Sequence, residues 1–452
     1  MPVLVFLFFI PVVLWGQSRS ENLDKAVKQL LSLPESGAAQ LSFYVTDKKG
    51  NPVYRYNENI GLSPASTQKI FTAICMLDTF GKDYRYKTSM AYSGKLNKGG
   101  LMGDLFIQSS GDPSLGSWRY EGYKVEDFKR QCISTLKDKG IKEISGSIWL
   151  DDSYFDFQSV PGGWPWNDMG NYYGAGVWGI NWRENRFDLI LENGIIKSTS
   201  IKLPKLTWYA EIVKEGTADK SIVYTAPYSP FAFIKGKLPP NKKMVISGAN
   251  PLPPLSLGSE IKQWLRENSI LFDGEVYLYS QEKTEKRVPP KFPEQNIILT
   301  YYSPPLDRLL YYFMQESINL YGETFVKTLG KEKLMEGSFI SGLTYLKSFW
   351  VKSGLSPYSI NFLDGSGLSP QNYISAKAQV QALLWSIRQS WFPEFLGYLS
   401  PYKDGIYMKS GTIKNTKSYA GFYKDYVFSI TINNYQGTDA SSALLRILQE
   451  LD

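Results

Sequence analysis

The sequence contains no histidine among its 452 residues. A Ser-His-Asp triad is therefore impossible, and we expect no catalytic zinc site, because such sites are usually built on histidine. An activated serine in this chain needs another base to take its proton. Lysine is the obvious remaining candidate.

Cysteine is scarce as well, with two residues in the whole chain. Two cysteines cannot form a disulfide framework. Cys75 lies within an apolar stretch of helical spacing, and Cys132 lies in a separate helical stretch. We therefore expect two separate buried thiols rather than a bridge.

The sequence also lacks a long apolar run. Residues 1–17 contain an apolar run that is shorter than the ~20 residues that span a bilayer, and small residues, Gly16 and Ser18, follow this run. This pattern predicts a secretory signal peptide cleaved near residues 16–18. No Lys or Arg precedes the run, which leaves an uncleaved anchor open. We expect an exported, periplasmic protein that is soluble or at most loosely associated with a membrane.

No dense basic run is present, so we expect no nucleic-acid partner. The net charge of +7 favours anionic surroundings, such as a cell-wall polymer or a membrane surface. A hydrophobic content of 43% and a charged content of 21% are typical of a globular protein. At roughly 150 residues per domain, the length fits two or three domains.

The two ends of the chain carry the most regular patterns. Short strands, turns and aromatic residues dominate residues 84–286, which we interpret as one or two inserted β-rich domains. Residues 18–83 and 287–452 are predicted to form one discontinuous domain of α/β (α+β) class, with an antiparallel sheet flanked by helices. The elements predicted for it are strands at 40–46, 52–56, 407–409, 418–423 and 426–433, and helices at 21–33, up to about 80, 306–316, 321–329, 340–351, 376–388 and 441–451.

The most informative stretch begins at Pro64. Ser66 precedes an apolar helical pattern, which predicts a position at or near a helix N-terminus. Residues three apart share a helix face, so the Lys69 amine should lie beside the Ser66 hydroxyl. Burial or a second cation nearby would favour the neutral, proton-accepting amine. The helix N-terminus would add an N–H where an oxyanion forms.

A Ser-x-x-Lys spacing alone is weak evidence. It recurs at Ser134/Lys137, Ser259/Lys262 and Ser280/Lys283, which we interpret as solvated helix surface or loop.

Two further motifs stand later in the chain, Ser317-Ile-Asn319 and Lys409-Ser410-Gly411-Thr412. Each is weak alone. Ser317 and Asn319 are equally compatible with a helix junction that satisfies its own backbone. A second Lys-Ser-Gly at 352–354 ends a predicted helix, where glycine is an ordinary stop.

In order, Ser-x-x-Lys, Ser-x-Asn and Lys-Ser-Gly form the signature of serine β-lactamases and penicillin-binding proteins. With the surrounding blocks, the chain resembles the class C low-molecular-mass penicillin-binding proteins, which are the D-alanyl-D-alanine carboxypeptidases/endopeptidases of peptidase family S13. The resemblance covers nearly the whole mature chain. The blocks that carry it are Pro64–Lys69, Gly111–Pro113, Asp151–Ser153, Pro161–Met169 and Asp364–Ser369.

The resemblance implies a mechanism on peptidoglycan stem peptides. Ser66 would attack the carbonyl of the terminal D-Ala–D-Ala bond while Lys69 accepts its proton. Ser317 would relay a proton to the leaving amine, and Asn319 would hold the substrate amide and the Lys69 side chain. Lys409 would supply positive charge that helps to keep Lys69 neutral and attracts the substrate carboxylate. Water would then hydrolyse the acyl-enzyme, and β-lactams would acylate the same serine.

The resemblance also implies how substrate is held. The strand through Ser410 and Gly411 would align the peptide by edge pairing, with glycine leaving room for close approach. Thr412 would hydrogen-bond the substrate carboxylate, and its N–H and that of Ser66 would form the oxyanion hole.

Relatives in this family recognise the free end of meso-diaminopimelate in the stem peptide. The matching positions are Asp168, which would pair with the ammonium group, and Tyr173, which would pack on the aliphatic stem. Some relatives place an arginine for the diaminopimelate carboxylate where this chain has Pro370. Lys414 is the substitute that we predict.

Two other interpretations stay open at this point. A β-lactamase or esterase on the same fold would release acylated penicillin rapidly. A catalytically silent cell-wall-binding module would not be acylated at all. We expect no cofactor and no metal. The balance between carboxypeptidase and endopeptidase activity and the oligomeric state stay open.

Overall fold

The computed structural model describes residues 10–203 and 206–452. The predicted signal segment at residues 1–17 lies partly outside this description. Among the described residues, no helix has both the length and the apolar character needed to span a bilayer.

The described chain contains both helices and strands. The helices are α1 (Ile10–Leu31), α2 (Lys69–Phe80), α3 (Val125–Asp138), α4 (Trp166–Met169), α5 (Pro253–Glu267), α6 (Tyr279–Thr284), α7 (Leu306–Gln315), α8 (Asn319–Leu334), α9 (Phe339–Lys352), α10 (Ala376–Ile387), α11 (Phe392–Tyr398) and α12 (Ala440–Gln449).

The strands are mostly short. They are β1 (Gln40–Asp47), β2 (Pro52–Tyr56), β3 (Gly61–Leu62), β4 (Lys87–Tyr92), β5 (Lys95–Asn97), β6 (Gly100–Met102), β7 (Leu105–Ser109), β8 (Glu143–Ile144), β9 (Ile148–Asp151), β10 (Arg186–Glu192), β11 (Ile195–Thr199), β12 (Thr207–Lys214), β13 (Lys220–Tyr224), β14 (Phe231–Leu238), β15 (Lys243–Ala249), β16 (Leu271–Phe272), β17 (Val276–Leu278), β18 (Ile297–Tyr302), β19 (Ile360–Asn361), β20 (Tyr373–Ser375), β21 (Ser400–Tyr402), β22 (Ile406–Ile413), β23 (Thr416–Tyr423) and β24 (Tyr426–Asn433).

The chain divides into two compact units. The first contains residues 1–75, 314–317 and 346–452, and the second contains residues 76–313 and 318–345. The sequence-based division, with 18–83 and 287–452 as the peptidase domain and 84–286 as the insertion, stays a prediction.

An antiparallel six-stranded sheet forms the centre of the first unit. Its strand order is β2-β1-β24-β23-β22-β21, so the first and last strands of the chain are neighbours. Leu41 pairs with Ile432, and Lys409 with Ala420. The β-branched and aromatic residues that fill β24 favour this pleated, buried setting.

Helices cover this sheet on both faces. Nearly every residue of β1 and β24 is buried, which a sheet achieves only when both faces are covered. α1 and α12 share a core with the sheet, in which Leu23 and Leu444 pack among residues such as Phe43 and Ile430. Burial of each such side chain contributes about 1.5–3 kcal/mol. The predicted class, an antiparallel sheet flanked by helices, is confirmed.

The second unit contains several smaller sheets. A five-stranded sheet has the order β17-β9-β7-β4-β18, and a four-stranded sheet the order β16-β8-β6-β5. Two three-stranded sheets, β11-β10-β15 and β12-β14-β13, share a core of their own, which includes Phe187, Val223 and Ile234. The prediction of β-rich structure in this part of the chain is confirmed.

Both cysteines behave as predicted. Cys75 and Cys132 are buried and reduced. Burial in an apolar setting raises the pKa of the Cys132 thiol, which makes it unreactive.

Candidate active site

Ser66 lies in a tight turn that leads into α2. Residues Ala65–Gln68 form a single 3-10 turn, and α2 begins at Lys69. Ala65 is buried and has a φ of +48°, a left-handed conformation that costs energy for a residue with a Cβ. The expectation that Ser66 lies at a helix N-terminus is confirmed.

The turn is held by the carbonyl oxygen of Pro64. This oxygen accepts hydrogen bonds from the Thr67 hydroxyl, at 2.8 Å, and from the Ser418 hydroxyl on β23. At the start of the turn, the Ser63 N–H donates to Asn433 at the end of β24, at 2.8 Å. Two strands of the central sheet therefore fix the backbone on which Ser66 stands.

Lys69 is fully buried beside the serine. Its Nζ lies 3.0 Å from Ser66 Oγ and donates to the Ser366 carbonyl oxygen at 2.8 Å. Both contacts are within hydrogen-bonding range. Ser66 itself is partly exposed, so the hydroxyl is accessible while the amine is shielded from water.

The Ser366 carbonyl belongs to a loop, residues 364–369, that is built around the Asp364 carboxylate. This carboxylate accepts from the N–H groups of Gly367, at 2.8 Å, and Ser369, at 2.6 Å. Gly367 has a φ of +84°, and a Cβ on it would lie 1.9 Å from the Ala65 carbonyl oxygen. The loop therefore packs directly against the turn that carries Ser66.

β22 lies against the other side of this turn. A Cβ added to Gly411 would lie 2.7 Å from the Pro64 carbonyl oxygen and 2.8 Å from the Ser66 nitrogen. Since side chains alternate along a strand, Lys409 projects from the same face as Gly411. Both residues are buried, whereas Ser410 and Thr412 on the opposite face are exposed.

Lys409 is a buried cation. It is 4% exposed. Burial, and to a smaller extent the charge of Lys417, lowers its pKa from 10.5 to about 8. At neutral pH most Lys409 side chains still carry a positive charge.

The outer edge of β22 is open beside the turn. β21 pairs only with Ile406–Met408. Ile413 and Thr416 flank a two-residue turn and therefore form a hydrogen-bonded pair. Because the two kinds of pair alternate along an antiparallel ladder, the next pair, Thr412 and Lys417, is a non-hydrogen-bonded one. The N–H of Thr412 therefore points away from β23, toward the open edge.

Three other predicted residues lie together in the second unit. The Asn319 side chain, at the start of α8, donates to the Tyr173 carbonyl oxygen at 2.9 Å. The Tyr173 hydroxyl donates to Asp168 at 3.0 Å. Partial burial raises the pKa of Asp168, against the lowering effect of that hydrogen bond.

Ser317 and Lys414 complete the predicted set, and both lie in the first unit. Ser317 is partly exposed and joins α7 to α8 with a φ of +56°. Lys414 is exposed at the turn between β22 and β23.

Sequence reasoning missed several contributors. Ser366 belongs to the Asp364–Ser369 block, for which the resemblance implies no role in the chemistry. Ser418 and Lys417 fall in or beside a predicted strand, and Lys417 Nζ donates to Thr412 Oγ1 at 2.8 Å. Ser418 lies opposite Gly411, and Lys417 lies opposite Thr412. This pairing across a hairpin is the signal that could indicate their contribution to the site. In the described residues, no group of three or more acidic or cysteine side chains is placed to hold a metal ion.

Comparisons with known proteins identify the family of this chain. A model of the D-Ala-D-Ala carboxypeptidase 3 (S13) family matches residues 20–401. A D-alanyl-D-alanine carboxypeptidase of Actinomadura sp. (strain R39) is 23% identical, over 96% of this chain and 87% of its own. The carboxypeptidase DacB of Haemophilus influenzae is 25% identical, over 86% and 84%.

Solved structures show the same fold. Penicillin-binding protein 4 of Haemophilus influenzae aligns with a TM-score of 0.80 at 22% identity, covering 95% of this chain and 98% of that one. The same protein complexed with a β-lactam aligns with a TM-score of 0.73 at 20% identity, with the same coverage.

These matches define the chain as a serine peptidase, a hydrolase. It belongs to the D-Ala-D-Ala carboxypeptidase 3 (S13) family.

Proposed function

We propose that this protein is an exported, periplasmic D-alanyl-D-alanine carboxypeptidase that trims peptidoglycan stem peptides. D,D-endopeptidase cleavage of cross-links would be a second reaction of the same nucleophile. The observation that carries the proposal is the buried Lys69 amine 3.0 Å from the partly exposed Ser66 hydroxyl.

The first step is acylation of Ser66. Its Oγ attacks the carbonyl carbon between the two D-alanines while its proton passes to Lys69 Nζ. The Ser366 carbonyl oxygen holds that amine by a hydrogen bond of 2.8 Å, which aims it at the serine. General base catalysis of this kind contributes about 10²- to 10⁴-fold in rate.

The oxyanion of the tetrahedral intermediate would lie between two backbone N–H groups. One is that of Ser66, in the first turn before α2, where an N–H has no intrahelical acceptor. The other is that of Thr412, at the open edge of β22. Loss of one such donor typically costs about 100-fold or more.

Expulsion of the terminal D-alanine requires a proton on its amine. Ser317 would relay this proton from Lys69, and Asn319 would hold the substrate amide. The released D-alanine leaves an acyl-enzyme ester on Ser66, which water hydrolyses. A β-lactam would acylate Ser66 by the same attack, with its strained ring amide in place of the peptide bond.

We assign specificity for the stem peptide to three side chains, those of Asp168, Tyr173 and Lys414. A half-buried carboxylate is suited to a desolvated ammonium group, and Asp168 would bind that of meso-diaminopimelate. Asp168→Asn should lower kcat/KM for diaminopimelate-containing peptides more than for peptides with lysine at that position. Unchanged turnover of the diaminopimelate peptides by Lys414→Ala would remove Lys414 from this set.

The test of the proposed function is product analysis. The protein is incubated with purified peptidoglycan fragments, and the products are identified by mass. Loss of one D-alanine from pentapeptides identifies carboxypeptidase activity, and conversion of cross-linked dimers to monomers identifies endopeptidase activity. Both should vanish in Ser66→Ala. Rapid release of hydrolysed penicillin, without peptide cleavage, would instead favour a β-lactamase.

A further inference from the structure

Arg186, the first residue of β10, is a cation without a counter-ion in the fold. Its guanidinium carbon lies 4.4 Å from the centre of the Tyr172 ring and 5.2 Å from that of the Trp118 ring. In the described part of the chain, its side chain has no carboxylate within ion-pair distance and no hydrogen-bond acceptor. Stacking on an aromatic ring uses the face of a guanidinium and leaves the N–H groups in its plane for an acceptor.

Two other arginines in this unit show what Arg186 lacks. Arg119 donates to the Glu184 carboxylate at 2.9 Å. Arg183 donates to both oxygens of Glu260, at 2.9 and 2.8 Å. Charges withdrawn from water are usually paired in this way. Arg186 is partly buried too, and burial lowers its pKa against the raising effect of the Glu184 charge. Its positive charge is therefore incompletely compensated within the fold.

The backbone before Arg186 is held in a strained conformation. Residues 183–185 have φ values of +52°, +53° and +51°, a left-handed turn that costs energy for residues with a Cβ. The buried Glu184 carboxylate anchors this turn, because it accepts from the hydroxyls of Ser117, at 2.8 Å, and Tyr321, at 3.0 Å. Strained backbone of this kind is concentrated at functional sites, and Arg186 is the first side chain that follows it.

Arg186 lies beside the residues assigned to diaminopimelate. The Tyr172 ring on which it stacks is 5.4 Å from the ring of Tyr173, whose hydroxyl donates to Asp168. Trp118 and Tyr172 are 50% and 48% exposed, so a ligand can reach the guanidinium. We infer that Arg186 binds the free α-carboxylate of the D-glutamate that precedes diaminopimelate in a stem peptide. This inference rests on the proposed function, because it extends the assigned substrate by one residue.

The chemistry of the stem peptide supplies an anion at this place. D-glutamate is joined to diaminopimelate through its γ-carboxyl group, so its α-carboxylate stays charged, one residue from the diaminopimelate side chain. A planar guanidinium can donate two parallel hydrogen bonds to such a carboxylate. The carboxylate of diaminopimelate itself is assigned to Lys414, so the two anionic groups have separate partners.

The test compares three pentapeptides. The first is L-Ala-γ-D-Glu-meso-diaminopimelyl-D-Ala-D-Ala. The second carries D-isoglutamine, a neutral α-carboxamide, in place of D-glutamate, and the third carries L-lysine in place of diaminopimelate, which removes only the carboxylate of that side chain. Hydrogen bonds to a charged group correspond to about 10- to 100-fold in affinity. The wild type should therefore cleave the first peptide with a kcat/KM higher than that for the second by about this factor, mainly through KM.

Substitution of the arginine should remove this preference. Arg186→Gln should lower kcat/KM for the first and third peptides by the same factor and leave the second unchanged, because the second already lacks the α-carboxylate. Arg186→Lys keeps the charge and should retain part of the preference. Arg308→Gln is the matched control. It removes a partly buried arginine whose guanidinium carbon lies 5.3 Å from the centre of another ring, that of Tyr120, and should leave all three peptides unchanged.

The outcomes separate this inference from the proposed function. If the wild-type protein cleaves none of the peptides, the proposed function is wrong. If the wild type cleaves the first two peptides equally well, the inference about Arg186 is wrong, and this comparison needs no variant. Covalent labelling by a fluorescent penicillin shows that Arg186→Gln is folded. Equal loss on the first and second peptides in that variant, or no loss on either, would also contradict the inference.

Discussion

Ser66/Lys69 and Ser134/Lys137 have the same Ser-x-x-Lys spacing in two different environments. In the first, the amine is fully buried, 3.0 Å from the hydroxyl. In the second, both side chains are exposed in the C-terminal part of α3, and Lys137 Nζ donates to Asn268 at 3.0 Å. The N–H of Ser134 also lies inside a helix and has an intrahelical acceptor. Burial of the amine and the position of the serine in the turn before α2, more than spacing, distinguish the candidate nucleophile.

The two Lys-Ser-Gly segments differ in the same way. Lys352-Ser353-Gly354 ends α9, and a Cβ on Gly354 would meet no atom within 4 Å. Lys409-Ser410-Gly411 is a strand that lies against the Ser66 turn. The sequence-based interpretation of the first copy as a helix stop is confirmed.

The largest expected difference concerns the two serines. Ser66→Ala should abolish peptide hydrolysis, a loss of roughly 10⁶-fold, and should also abolish covalent labelling by fluorescent penicillin. Ser134→Ala should change neither, because its exposed hydroxyl donates to the carbonyl oxygen of Gln131, at 3.2 Å, on the surface of α3. Labelling followed on a gel and by intact mass measures both. Labelling of Ser66→Ala at the wild-type rate would contradict the assignment of the nucleophile.

The second largest difference is expected between substitutions of Lys69 and of Lys137. Lys69→Met should slow acylation by about 10²- to 10⁴-fold, because the base is removed. Lys69→Arg should not restore the rate, since a guanidinium does not give up its proton at neutral pH. Lys137→Met should have no effect. Stopped-time acylation assays give the rates, and full activity of Lys69→Arg would show that Lys69 is not the base.

Substitutions of the glycines in the two Lys-Ser-Gly segments, Gly411 and Gly354, should have different effects: the first on activity and the second on stability. Gly411→Ala places a methyl group 2.8 Å from the Ser66 nitrogen, and the displacement that follows should lower the acylation rate by about 100-fold. Gly354→Ala should leave that rate unchanged. It should lower the free energy of unfolding by about 1 kcal/mol, because Gly354 has a φ of +99°. Acylation kinetics and urea denaturation measure the two effects, and equal acylation rates would refute the proposed close packing.

The smallest expected effect is on pH dependence. Lys409 loses its positive charge as the pH rises through its pKa of about 8, so acylation by β-lactams should fall over that range. Lys417→Gln removes a charge that lowers this pKa, so the alkaline limb should move to higher pH by a fraction of a unit. A pH–rate profile tests this, with Lys424→Gln as the control. A shift of the alkaline limb to lower pH in Lys417→Gln would contradict this prediction.

Much of the fold could be predicted from sequence, since β1, β2, β24 and the helices of the C-terminal half have strong periodicity. β22 was predicted only as far as Lys409, because Ser410-Gly411-Thr412 has weak strand propensity, and α11 was not predicted. The Ser66–Lys69 contact follows from local spacing. The left-handed Ala65 and the Lys417–Thr412 bond do not, because backbone strain and cross-strand pairs depend on register and on distant packing.

Gly367 and Gly411 pack closely against the backbone of Ala65 and Ser66. A side chain added at either glycine would meet this backbone and should displace the turn that carries the serine. The exposed hairpin around Lys414 is under no such constraint, so substitutions there should be tolerated more readily than at either glycine.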